Sequence, residues 1–141
     1  MSHHEDAQLI LQIYDLRREA RLREARAFVT GRFKAKDMDE LNKICPPGSE
    51  ENAYFRQIVS YWEMSASLVL QGAVHPDLFL DWSGEMMFFF AKFQPILKDV
   101  REATKNPGFF GKVEAVINQG NRQEAVAAMV ERQKAMSAGA K

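Results

Sequence analysis

Cysteine is nearly absent from this chain, and its scarcity excludes more than any other feature. Cys45 stands alone, so no intrachain disulfide can close and no set of thiolates is available for zinc or an iron–sulfur cluster. A reducing, cytoplasmic setting is the expectation that follows. Histidine is almost as sparse: His3 and His4 near the start, and His75 beside Pro76. None has the H-E-x-x-H or Glu-x-x-His spacing that places metal ligands on helix faces, and neither metal nor cofactor is expected. The glycines never cluster between a strand and a helix, as a phosphate loop or dinucleotide fingerprint requires. Hydrolase nucleophile motifs are missing too, and Cys45, followed by Pro46 with no histidine nearby, reads as an inert thiol. Catalytic activity is not expected.

Charge of one sign is also lacking. The 19 basic and 19 acidic residues cancel, and they do so locally: residues 1–70 carry 10 basic and 11 acidic side chains, residues 71–141 carry 9 and 8. A dedicated nucleic-acid binder draws most of its affinity from neutralising phosphates and shows a basic excess, so nucleic acid is not an expected partner. Long hydrophobic runs are absent as well. The longest stretch free of Asp, Glu, Lys and Arg runs from Met64 to Pro76 and is interrupted by Gln71 and His75, too short to span a bilayer. Gln12 and Asp15 break the apolar segment from Leu9 to Leu16, so no secretory leader is expected there.

What remains is helical. A chain of 141 residues is long enough to bury a core without a disulfide or metal staple. Leu9, Ile13, Leu16 and Ala20, then Leu22, Ala25, Val29 and Phe33, recur at helical spacing and predict one long amphipathic helix from about Asp6 to Phe33, ending near Gly31. Asp37 and Glu40 have capping-box spacing before a short helix that Pro46-Pro47-Gly48 stops. Glu50 to Ala73 predicts a central helix with a broad apolar face and a narrow polar stripe, closed by Gly72. Pro76 suits the first turn of a short helix ahead of a break at Gly84. Met86 to Ala103 resumes the stripe, with a kink or split predicted at Pro95. Two shorter amphipathic pieces finish the chain, one around Val113 to Ile117 and one opened by Asn121 and Glu124 at capping-box spacing. No alternating pattern of a strand persists and no repeat is visible, which gives a single all-α domain, a bundle of five to seven helices, with residues 1–5 and 137–141 disordered.

Three features could carry function. Glu63 shares its stripe with the small residues Ser60 and Ser67, so a second helix could approach closely there. Its carboxylate then needs several donors or a cationic partner, for which Arg101 is the candidate; otherwise it lies on a solvent-facing stripe. Met86-Met-Phe-Phe-Phe points all round a helix, so Met87 or Phe88 should turn away from the main core and meet another element, a second copy or an apolar ligand. Trp62 and Trp82 belong to the same crowding of bulky side chains and complete the candidate binding surface. Arg17, Arg18, Arg21, Arg23 and Arg26 make the strongest local charge bias, read either as a solvated, salt-bridged face or as a dock for an acidic partner or the cytoplasmic leaflet.

The combination of Arg23-Glu-Ala-Arg-Ala-Phe-Val, Glu63, Gly72, Asp77-Leu, Trp82-Ser-Gly-Glu and Phe93-x-Pro95-x-Leu97-x-x-x-Arg101 resembles a bacterial family of small all-helical domains of unknown function. The resemblance covers roughly residues 15–117. Many members resemble cytoplasmic domains that follow one N-terminal transmembrane helix, which this chain lacks, so membrane attachment is not carried over. The resemblance implies that Glu63, Gly72 and Arg101 are placed by the fold, and it implies no activity or ligand. Two functions are then expected: a helical interaction module that self-associates or binds another protein, or a binder of a small apolar or amphipathic ligand between the two central helices, anchored by Glu63 and Arg101.

Overall fold

The computed structural model describes residues 3–139, and side chains from His4 to Met136. Eight helices and no strand occur among the described residues: α1 (His3–Leu16), α2 (Ala20–Gly31), α3 (Met38–Ile44), α4 (Glu50–Leu70), α5 (Pro76–Trp82), α6 (Gly84–Ala103), α7 (Gly111–Gln119) and α8 (Gln123–Gly139). The all-α expectation holds, with one helix more than the upper expected number. The backbone is helical from His3 and up to Gly139, where disorder was expected for residues 3–5 and 137–139; Met1, Ser2, Ala140 and Lys141 lie outside the described residues.

The extra helix comes from a break in the first segment. Arg17, Arg18 and Glu19 donate backbone bonds only three residues back, to Tyr14, Asp15 and Leu16, tightening the chain out of α1. Glu19 then turns its carboxylate onto the Leu22 N–H at 2.9 Å and caps α2. A backbone bond from Arg21, and then that from Leu22, hold the Glu19 carboxyl below its ordinary value. Other ends follow the sequence closely. Asp37 and Ser49 cap α3 and α4 through the Glu40 and Asn52 N–H groups. Gly72, at φ 84°, closes α4 with paired bonds from Gly72 N to Val69 O and Ala73 N to Leu68 O.

The expected opening of α8 at Asn121 is not found, and of the kink or split expected at Pro95 the split is not found. Asn121 does not open α8; at φ 57° it ends α7, donating to Asn118 O while Arg122 N reaches Ile117 O. Pro95 does not split α6. It removes one N–H, from the Ala91 carbonyl, while Phe93, Ile96 and Leu97 on either side are buried and hold the helix against its neighbours.

Helices α4 and α6 form the centre. Packed against α4 are α2 and α7; packed against α6 are α3, α7 and α8. Phe55 of α4 and Phe93 of α6 meet edge to face at 4.9 Å, and Phe33, beyond the end of α2, closes the triangle at 5.4 and 5.0 Å. Such pairs add to the area they bury, by about 0.5–1.5 kcal/mol each.

Candidate functional site

The space between α4 and α6, where a pocket was expected, is therefore bridged by aromatic rings. The residues chosen as its polar anchors point elsewhere. Glu63 accepts from the backbone N–H groups of Val113 at 2.8 Å and Lys112 at 3.3 Å, the first turn of α7. Phe110, at the N-cap position of that helix, has φ 56° and offers no capping side chain, so Glu63 supplies from α4 the cap that α7 lacks locally. Arg101 donates through Nε to the Phe109 carbonyl at 2.9 Å and pairs with Glu114 at 3.2 Å. The two residues hold the start of α7 through separate partners.

Trp62, Trp82 and Met87 are packing residues. Trp62 is 1% exposed, stacked on Tyr61 at 4.8 Å, and Trp82 lies beside it at 5.9 Å. Met87 is buried. Phe88 is different: it is half-buried, and its carbonyl accepts a bond from Gln133 of α8. The outward residue of the Met-Met-Phe-Phe-Phe run thus meets the last helix.

Phe88 also lines a groove of about 370 Å³ bounded by α6, the end of α2 with the connector after it, and α8. Its apolar lining comes from Phe33, Phe88, Ala91, Pro95, Val130 and Met136. Among the described residues its charged lining is four lysines, Lys34, Lys36, Lys92 and Lys134, and no carboxylate. Three of these lysines are exposed; Lys92 is half-buried. Its Nζ donates to the Thr30 carbonyl at 2.9 Å and the Phe33 carbonyl at 3.1 Å, and lies 5.6 Å from the centre of the Phe88 ring. Among the described residues it has no ion-pair partner. Burial, and then the nearby charge of Lys34, bring its pKa down to about 8. A second groove of about 360 Å³ lies beside Arg101, with Phe90, Gln94, Leu97 and Pro107 in its lining. Neither groove is lined by a residue of α4.

Sequence reasoning missed Lys92. The available signal was its position four residues after Phe88, as the single charge between Met86 and Gln94. It also missed the fate of the arginine stripe. Arg17 and Arg26 turn inward onto Glu85 of α6, with Arg26 bidentate at 2.8 and 2.7 Å and Arg17 at 3.0 Å. The Arg17 guanidinium also sits 4.7 Å from the Tyr14 ring centre. Arg21 pairs across to Glu50, so among the described residues only Arg18 and Arg23 of the stripe have no cross-helix ion pair. Among the described residues no group of three or more His, Cys, Asp or Glu side chains converges in a way that could hold a metal ion, and no helix is long and apolar enough to cross a membrane.

Residues 2–119 match the family described as Domain of unknown function (DUF4760). The chain belongs to this family. The matched DUF4760 residues contain α1 to α7, including Glu63, Gly72 and Arg101, whereas α8 and the groove wall it supplies lie beyond them. Comparison with curated proteins and with solved structures gives no match.

Proposed function

We propose that this DUF4760 domain is a cytoplasmic, non-catalytic binding module that takes a small amphipathic ligand in the groove between α6 and α8. The observation that carries this reading is the pairing of an apolar lining with a half-buried ammonium that has no carboxylate partner among the described residues. A volume of about 370 Å³ falls within the range of small-molecule sites, roughly 300–1,000 Å³. The neutral fluorescent probe N-phenyl-1-naphthylamine tests it. Saturable binding that weakens when Ala91→Trp fills the groove supports the reading, and no binding at tens of micromolar protein overturns it.

A second reading, self-association, has its own observation. On α1, Leu11 is 68% exposed, Leu16 53% and Tyr14 48%, while Ile13 on the same helix is buried. That outer face suits a second copy. Light scattering after size exclusion should give a dimer mass that reverts to monomer in Leu11→Glu/Leu16→Glu; a monomer at every concentration sinks this reading.

A further inference from the structure

We infer that the groove selects a single-chain alkyl carboxylate, with its head group seated on Lys92 and its tail lying along α6 beneath α8. This rests on the binding reading above and names the ligand's chemistry. An ammonium has three protons to donate. In Lys92 two are taken by the Thr30 and Phe33 carbonyls, which leaves one directed bond for a ligand. A carboxylate can accept that bond and bring a single negative charge, whereas a neutral hydroxyl brings none and a dianionic head group would leave most of its acceptors without a buried donor.

The surroundings favour a negative charge. Lys34, Lys36 and Lys134 line the groove with Lys92, and among the described residues no acidic one does. Of the three, only Lys134 has an ion-pair partner among the described residues, Glu131, at 3.5 Å on the exposed side of α8. The rest of the lining is suited to a chain of methylenes. Phe88 and Ala91 each stand about one helical turn before Lys92 and Pro95 respectively, and Val130 and Met136 face them from α8. At Pro95 the missing N–H leaves the Ala91 carbonyl without its helical donor, an acceptor that disfavours a second anionic group at that end.

The test compares decanoate with decanol, which share a tail and differ in the head group. Isothermal titration of the full chain should show decanoate binding tighter by about tenfold or more, the usual scale for a charge-assisted bond gained by one ligand and not the other. Lys92→Gln should erase that preference, with decanoate losing far more affinity than decanol; Lys34→Gln should reduce it only slightly. A second measurement needs no substitution: with lysines reductively ¹³C-methylated, the Lys92 signal should titrate to higher pH when decanoate is added. Equal affinity for acid and alcohol overturns the carboxylate inference and leaves the groove reading standing. Binding of neither overturns both. Lys92-dependent adsorption to anionic phosphatidylglycerol vesicles, with no binding of free decanoate, overturns the inference in favour of a membrane surface.

Discussion

The carboxylate of Glu63 on α4 closes the open end of α7 by accepting the Val113 N–H at 2.8 Å, across 50 residues of sequence. A cap normally comes from the residue just before the helix, but here that residue is Phe110, whose ring is fully buried in the aromatic core and whose backbone is left-handed. Burial of the ring and capping of the helix are thus assigned to two different residues. Glu63→Ala should lower stability in urea by about 1–2 kcal/mol, the scale of a lost cap. Hydrogen exchange should accelerate at Lys112 and Val113 in particular. Glu63→Gln keeps one acceptor and should recover part of the loss; equal exchange in all three proteins would remove the capping role.

Glu85 joins the first two helices to α6. Its carboxylate takes three hydrogen bonds from Arg17 and Arg26, and its side chain is 20% exposed. The Glu85 bond is also the main reason the Arg26 pKa lies above its ordinary value. Removing the acid leaves two guanidinium groups facing each other with nothing between them. Glu85→Ala should cost about 2–3 kcal/mol, between the values for exposed and fully buried pairs. Adding Arg17→Met should recover part of that cost, and a double-mutant cycle measures the coupling.

Lys92 gives stability a particular dependence on pH. Its folded-state pKa of about 8 lies below the ordinary 10.5 that the unfolded chain shows. Between these values the unfolded chain binds more protons, so stability rises as pH rises from about 8 to 10.5; below 8 the cost of the buried charge is present in full. The charged groups lining the groove with it are Lys34 and Lys36 on the connector and Lys134 on α8, all of the same sign. Urea midpoints at pH 7, 9 and 10 should converge upward toward those of Lys92→Met. Parallel curves for the two proteins would contradict this.

Cys45 is 1% exposed at the end of α3, and burial, with a smaller contribution from Glu51, pushes its thiol up to about 11. Thiolate is the reactive form, so the native protein at pH 8 should react with Ellman's reagent only through opening of the α3 region. The expected result is a rate that rises in step with urea. Immediate stoichiometric reaction in buffer would show an accessible thiol.

Much of this architecture could be read from the sequence because the determinants are local. Gly72 at a left-handed position, Pro76 in a first turn and the cap at Asp37 depend on residues a few places apart. The failures share the opposite property. Nothing near Arg17 announces that its partner is Glu85, 68 residues away, and that pairing accompanies the break between α1 and α2. Asn121 has the composition of an N-cap, and the same tolerance of left-handed backbone serves equally to end the helix before it. Glu63 was legible as a carboxylate that needs donors, but not as the cap of a helix 50 residues on. The groove depends on three separated segments meeting, with Phe88 the part that its pattern could announce.

One wall of that groove has little else to do. Within α8 only Val126 is fully buried among the described side chains, while Val130, Gln133, Lys134 and Met136 face the groove from beyond residues 2–119. Under the proposed binding reading, the α8 wall and the ring-packed centre draw on different residues. Substitutions from 130 to 136 should then change what the groove takes without disturbing that centre, which makes α8 the natural place to re-engineer specificity.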